Sequence, residues 1–506
     1  MTRLTTALAD LAPERLRAMQ RGVEKESLRV QPDGRLATTP HPAALGSPLT
    51  HPCITNDFSE AQPELVTGAH DRVEACEAEL TQIHQVVYRA LGDEMLWVAS
   101  MPCGLPSDEN IPIANFGTSN IGRAKSVYRM GLGMRYGRRM QTISGIHYNW
   151  SMPGLSNADY FGLIRNFRRH SFVLLTLFGA SPAVCPSFVA DRRHDLQRLS
   201  EHTLYLPHAT SLRMGRLGYQ SDAQAALAVS YNGLEDYVGS LHGAINRPHP
   251  PYQQVGIRGP DGEYLQLSDS LLQIENEFYG TIRPKRSIRR GERALHALRE
   301  RGVEYVEVRC MDLDPFEPVG INADTMRVID LFLLHCLLSH SPDDSPEEIA
   351  RLARNQDLTA ARGREPGLRL ESADGDRPLI EWAQSLLGEC SPIAGQVDRA
   401  LGGTAYAAAL EATLATLAQP RRLPSARVLE TMARDFEQAY TDFVRAQSNH
   451  ARATSLALPF PADLARHFEA LAAQSLLDQQ RLEADDRLPF EAYRQQYLAP
   501  ERLGVD

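Results

Sequence analysis

Apolar and polar positions follow two rhythms along this chain. Up to about residue 320, short alternating runs are separated by helical stretches and by loops rich in Gly and Pro; beyond it, apolar residues recur at three-to-four spacing. LIEWAQSLLGE, GTAYAAALEATLATLAQ and ARVLETMARDFEQAYTDFVRAQSNH carry the period of amphipathic helices. RGVEKESLRV (21–30), QTISGIHYNWSMP (141–153) and RGVEYVEVRCMDLDP (301–315) alternate instead, as strands with one buried face do. Strands and helices mix without regular alternation, which predicts an α+β fold around an antiparallel sheet. The chain is divided into a region over 1–380, which holds the mixed stretch and the first helices after it, and a helical region over 381–506 packed on it. Residues 171–190 are uncharged for long enough to span a bilayer. GASP (179–182) and Pro186 interrupt that run, so it predicts a buried helix ending near Gly179 and then an irregular segment. VIDLFLLHCLLSH (328–340) reads as a core helix.

Composition narrows the function classes. The 506 residues carry a formal charge of −10 with no long basic stripe, which argues against a nucleic-acid partner. Hydrophobic residues at 43% and charged residues at 23% are those of a folded globular chain. Seven scattered cysteines without a C-x-x-C pair read as reduced cytoplasmic thiols, not a disulfide framework or zinc ribbon. The first twenty residues lack the apolar core of an export signal and predict a surface amphipathic helix. There is no P-loop, H-E-x-x-H or G-x-S-x-G motif, and GLGMRYG (131–137) lacks dinucleotide-fingerprint spacing.

Four segments could carry chemistry. Glu24 and Glu26, two apart in a strand, share one face; alone they would be an ordinary solvated pair. HPCITNDFSEAQPELVT (51–67) adds Asp57 and Glu64 beside Phe58. Gln141, Ile143, Gly145, His147 and Asn149 are alternate positions of a third segment, and Tyr305, Glu307 and Arg309 share one face of a fourth. A lone histidine in an apolar strand is usually a satisfied core group, and Glu307 with Arg309 could be a simple ion pair. Together, several carboxylates and one imidazole without a thiolate cluster suit a hard divalent cation, magnesium or manganese. So many acids in one core would raise each other's pKa values without one. Arg309 and IRPKRSIRRGER (282–293), with Arg283, Lys285, Arg286, Arg289 and Arg290, supply the positive groups that phosphoryl transfer requires.

These segments, with LWVASMPC (96–103), GTSNIGRAKSVYRMGL (117–132), ATSLRMGRLGYQ (209–220), LLQIENEFYGTIRPKR (271–286) and VEYVEVRCMDLDPF (303–316), closely resemble the proteobacterial type of glutamate–cysteine ligase. The resemblance runs in order from about residue 20 to 320 and is weaker in the helical last third. It implies a glutamine-synthetase-like fold, a curved antiparallel sheet forming a funnel, with 1–380 as the catalytic domain. It also implies that Glu26, Asp57 and Glu64 bind one magnesium ion and Glu24, His147 and Glu307 another, with a third bridging the nucleotide. Arg309 would stabilise the phosphoryl group in transfer. A cysteine pocket would draw on Phe58, Tyr128, Leu132, Gln141, Asn149, Arg213, Tyr219 and Tyr279. Tyr128 and Leu132, four apart, share one helix face.

The implied reaction is ATP-dependent: L-glutamate becomes a γ-glutamyl phosphate, and L-cysteine displaces phosphate to give γ-glutamylcysteine, the first precursor of glutathione. Glutathione as feedback inhibitor, a cytoplasmic location and a monomeric, monofunctional chain are implied as well. Two other readings stand beside it: a carboxylate–amine ligase using a different amine, and a non-catalytic regulatory relative. A third class, a metal-dependent hydrolase, would give product without ATP.

Overall fold

The alternation seen in the sequence resolves into one six-stranded sheet. In the computed structural model, which describes residues 3–190, 192–218, 222–225, 227–289 and 291–500, its strands are β1 (Gln20–Glu26), β2 (Ile54–Asn56), β3 (Pro63–Val66), β4 (Ile146–Ser151), β5 (Ile282–Lys285) and β6 (Tyr305–Met311). Their spatial order is β5-β6-β4-β1-β3-β2, and every pairing is antiparallel. Side chains alternate between the two faces. One face carries Val23, Leu65, Tyr148, Trp150, Val306 and Val308, all buried in the largest hydrophobic cluster. The other carries the acids.

Four helices frame the sheet: α1 (Val73–Ala90), α2 (Asn120–Tyr136), α3 (Asn157–His170) and α4 (Ala323–Leu338). The apolar face of the sheet is pinned to α4 by an ion pair between Arg21 and Asp330 at 3.0 Å, both side chains fully buried. Asp330 also accepts from Tyr148 Oη at 2.8 Å and from Tyr406 Oη at 2.9 Å, and Arg21 donates to the carbonyls of Met19 and His70. Those hydrogen bonds offset the desolvation that burying the two charges costs. They also join β1 and β4 to the helix Ala405–Leu417, so the sheet and the helical last third share one polar anchor.

Helices beyond residue 380 share cores with the sheet region. Val397 and Leu417 belong to the cluster that holds Val23 and Trp150. Tyr440 and Phe443, on α5 (Tyr440–Ala457), belong to a second one with Trp97 and Ile143. Two more helices follow, α6 (Ala462–Asp485) and α7 (Phe490–Leu498), and α7 packs against α2.

Several expectations are met and several corrected. The uncharged run is the buried helix Phe172–Phe178, capped at Gly179, and among the described residues no helix is long and apolar enough to cross a membrane. The N-terminal stretch is two short helices, Arg3–Ala9 and Pro13–Arg17, instead of one. Pro13 starts the second, a position where its missing N–H costs nothing, and the turn lets Leu8, Leu11, Leu16 and Met19 all reach the core. Cys103 and Cys185 form a disulfide with Cα atoms 5.1 Å apart, and the other five cysteines are free and buried. The reading of seven reduced thiols is therefore corrected. A pair 82 residues apart is joined by tertiary folding, which spacing does not reveal.

Candidate active site

The register of the sheet sets the site. Glu24 lies opposite His147, Glu26 opposite Glu64, and Asn149 opposite both Gly22 and Glu307. All their side chains therefore leave one face. Arg309 follows Glu307 on that face, where the β6–β4 pairing shifts register between Val308 and Met311. Such an irregularity turns a side chain away from the ladder direction.

Two groups of possible ligand atoms result, each drawn together within 4.8 Å: Glu24, His147 and Glu307, and Glu26, Glu64 and His147. His147 stands at the centre, with Nδ1 3.2 Å from Glu24 and Nε2 3.6 Å from Glu26. Asp57, on the loop after β2, falls outside both groups among the described residues. Its backbone is fixed there: its N–H donates to Gln62 O at 2.9 Å, and its carbonyl accepts from Arg129. Its charge still bears on Glu26 and Glu64.

The acids divide electrostatically. Burial, and then the charge of Asp57, pushes Glu26 up to about 8. Burial and the neighbouring Glu24, Asp57 and Glu26 push Glu64 well above the carboxylate range. Burial also works against Glu307, but Lys285 and Arg309 outweigh it and hold the group well below that range. Each cation donates to it at 2.9 Å. Glu24 is likewise lowered against burial, through its hydrogen bond to His147 and the charge of Lys285. Burial and the nearby Arg309 depress His147, which leaves its imidazole neutral, the form that binds a metal. The site thus pairs two acids whose pKa values are raised, Glu26 and Glu64, and whose protons an arriving cation would displace, with two whose values are lowered, Glu24 and Glu307. This donor set, carboxylate oxygens with one neutral imidazole, fits magnesium or manganese.

Beside the acids stands an apolar wall. Phe58, Leu132 and Ile143 belong to one buried cluster, with Tyr128 packed against it. Tyr128 and Leu132 are both on α2. Gln141 donates to Tyr279 Oη at 2.9 Å, and the Tyr279 ring meets Tyr136 edge-on with centroids 5.6 Å apart. Gln141 does not belong to the strand that its alternation predicted: it ends the short helix Arg138–Gln141, and β4 begins only at Ile146. A helix-ending turn at Thr142 wins over the period-two pattern. Arg213 is buried and donates to Arg309 O at 2.9 Å. Asn149 donates to Glu24 at 2.9 Å, while its Oδ1 is buried without a partner. Tyr219 and Arg290 lie outside the described residues.

Sequence reasoning passed over Lys125 and Arg129. Both stand on α2 near Glu64, and burial lowers Lys125 to about 8. The signal was present as two cations four apart in GTSNIGRAKSVYRMGL, which puts both on the helix face of Leu132.

Comparison with known proteins identifies the family. The family model described as glutamate-cysteine ligase matches residues 6–359. A glutamate–cysteine ligase of Saccharophagus degradans is 46% identical over 97% of this chain and 96% of its own, and one of Bordetella petrii is 47% identical over 97% and 96%. Among solved structures, a glutamate–cysteine ligase of Francisella tularensis in complex with AMP aligns with a TM-score of 0.90 at 36% identity, covering 95% of this chain and 97% of that one. A bifunctional glutathione synthetase of Pasteurella multocida, 23% identical with a TM-score of 0.67 over 93% of this chain and 57% of its own, shares the fold. With an acid-lined antiparallel sheet in place and relatives matched over nearly its full length, the chain belongs to the glutamate–cysteine ligase family.

Proposed function

We propose that this protein joins L-cysteine to the γ-carboxylate of L-glutamate at the expense of ATP, giving γ-glutamylcysteine, ADP and phosphate, the first step of glutathione synthesis. The observation that carries the reading is the meeting of Glu24, Glu26, Glu64, His147 and Glu307 on one sheet face beside Arg309, in a chain of this family. Glu24, His147 and Glu307 would hold one magnesium ion and Glu26 and Glu64, with Asp57 nearby, a second. Bound there, magnesium neutralises charge on the nucleotide phosphates.

The residues then divide the work. A γ-carboxylate oxygen of glutamate attacks the γ-phosphorus of ATP, the bond to the bridging oxygen breaks, and ADP leaves. Arg309, held by Glu307, faces the charge spreading over the transferred group. The α-amine of cysteine adds to the acyl phosphate carbonyl, and collapse expels inorganic phosphate, the amine losing its proton. Phe58, Tyr128, Leu132 and Tyr279 form the wall that keeps water from the acyl phosphate. Gln141, Asn149 and Arg213 present polar groups to the amino-acid substrates. A cytoplasmic monomer inhibited by its end product glutathione completes the reading.

ADP release by the purified protein with magnesium, ATP and L-glutamate tests it, with L-cysteine, L-2-aminobutyrate, L-serine or no amine added. Release should depend on the amine, with cysteine giving the highest kcat/KM and γ-glutamylcysteine identified by mass. A higher kcat/KM for another amine would move the assignment to a different ligase. Pocket differences of about 1–3 kcal/mol decide between such side chains.

One position tests the substrate pocket through Arg213. Gly145 sits against Arg213 so closely that an added Cβ would collide with the guanidinium. Gly145→Ala should therefore displace Arg213 and raise the KM for the amino-acid substrates by roughly tenfold, with the KM for ATP nearly unchanged. Steady-state kinetics in each substrate checks it.

A further inference from the structure

One buried cation on the acidic face has no acid of its own. Arg283 lies on β5 directly opposite Glu307, so its side chain leaves the sheet on the same face as the carboxylates. The acids around it are taken: Glu307 by Lys285 and Arg309, each at 2.9 Å, Glu277 by Arg135 at 2.9 Å, and Glu275 by Arg293. Among the described residues Arg283 forms no ion pair, although it is only 7% exposed. Burial, and then the charge of Arg309, works against its positive form. A guanidinium removed from water in this way calls for an anion.

Part of its fork is already used. Nη2 donates to the carbonyl of Asn276 at 2.9 Å and to that of Phe278, which fixes the plane of the group against the turn Glu275–Glu277. Nε is closed off without a partner, whereas Nη1 is neither closed off nor bonded. Nη1 is therefore the donor left for a ligand.

The surroundings say which ligand. Tyr128 and Tyr279 both feel the Arg283 charge, and Gln141 holds Tyr279 at 2.9 Å. Arg283 thus stands where the aromatic wall of the amino-acid pocket meets Glu307 and Arg309. The transferred phosphate has Arg309 and the cations that the acids hold. The amino-acid substrates bring two α-carboxylates, and the other guanidinium of the pocket, Arg213, already stands 3.9 Å from Asp312. A planar guanidinium fixed in place and short of an anion matches a carboxylate.

We propose that Arg283 binds the α-carboxylate of an amino-acid substrate through Nη1 and makes that carboxylate a condition of efficient turnover. The assignment rests on the reaction proposed above. Its border with Tyr128 and Tyr279 makes cysteine the expected source.

Decarboxylated analogues test it. Cysteamine is cysteine without its α-carboxylate, and 4-aminobutyrate is glutamate without its own. ADP release with each is compared with the parent amino acid for the unaltered protein, Arg283→Gln and Arg283→Lys. Arg283→Gln should lower kcat/KM by about 10²-fold for L-cysteine and by less than about threefold for cysteamine, so that the preference for the carboxylate nearly disappears. Arg283→Lys, which keeps the charge, should restore part of it and guards against a misfolded glutamine variant. The same collapse between L-glutamate and 4-aminobutyrate, with cysteine and cysteamine falling together, would place the carboxylate on glutamate. Equal losses for both parents and both analogues would reduce Arg283 to a brace for the turn and overturn the proposal, as would a raised KM for ATP as the main effect. Titration calorimetry with L-cysteine and with L-glutamate, in magnesium and a non-hydrolysable ATP analogue, separates the site from the reaction. Arg283→Gln should bind one of the two at least about tenfold more weakly. Unchanged binding of both would overturn the proposal even in a protein that makes γ-glutamylcysteine, whereas weakened binding in a protein that makes none would remove the reaction and keep the site.

Discussion

Glu26→Gln is expected to lower kcat by on the order of 10³-fold while leaving the protein folded. The side chain accepts from the Gly145 N–H at 2.9 Å and faces His147 at 3.6 Å. A glutamine fills the same volume and still accepts from Gly145. What it cannot do is become an anion. Without magnesium the glutamate keeps its proton up to about pH 8, so the neutral amide resembles the resting state and differs only when a cation arrives. Linkage gives the sign: between the ordinary value of 4.5 and about 8, the folded chain holds a proton that the unfolded chain has lost. In that window the stability of the metal-free protein falls as pH rises. Glu26→Gln should flatten this fall and raise the metal-free melting temperature at pH 8. It should also reduce the stabilisation that magnesium gives, and the protons released on magnesium binding should decrease. Melting curves across pH, with and without magnesium, check the first part, and ADP release checks the second. Turnover within tenfold of the unaltered protein would remove Glu26 from the metal site.

Arg309→Lys should lower kcat by about 10³-fold, with the KM for ATP changed much less. The guanidinium donates to Glu307 at 2.9 Å and approaches His147 at 3.5 Å, which leaves the rest of its planar fork for an oxyanion. Lysine offers one compact, strongly hydrated charge on a flexible stem and cannot serve Glu307 and a transferred phosphate in one plane. It would also compete for Glu307 with Lys285, already bonded there at 2.9 Å. The split between kcat and KM separates a role in transfer from a structural one: a collapsed site would lose nucleotide binding as well. Equal kcat in the lysine variant would show that charge alone suffices at this position.

How much of this was legible in the sequence depended on the range of each interaction. Glu24 with Glu26, and Glu307 with Arg309, share a face because strand geometry repeats every second residue, and that is written locally. That β1 sits between β3 and β4, or that β5 forms an edge, is set by pairings between distant segments that no local period encodes. The same holds for Cys103 with Cys185. Gln141 shows a local pattern misleading: alternation extended the strand to it, but a helix end at Thr142 interrupts, and Gln141 meets Tyr279 from that turn instead. Asp57 was grouped with Glu26 and Glu64 by resemblance; the structure holds it outside the groups that close within 4.8 Å, on a loop whose course is fixed by Gln62 and Arg129. Arg129 itself escaped notice because a cation on a helix usually faces solvent.

The most direct test of the proposed chemistry follows one oxygen atom. With L-glutamate labelled by oxygen-18 in its γ-carboxylate, the inorganic phosphate formed during turnover with L-cysteine is collected and examined by phosphorus NMR. If the γ-carboxylate attacks the γ-phosphorus and phosphate leaves from the acyl group, each phosphate should carry one labelled oxygen. Phosphate free of label, formed at the same rate as γ-glutamylcysteine, would contradict the acyl phosphate and with it the role given to Arg309.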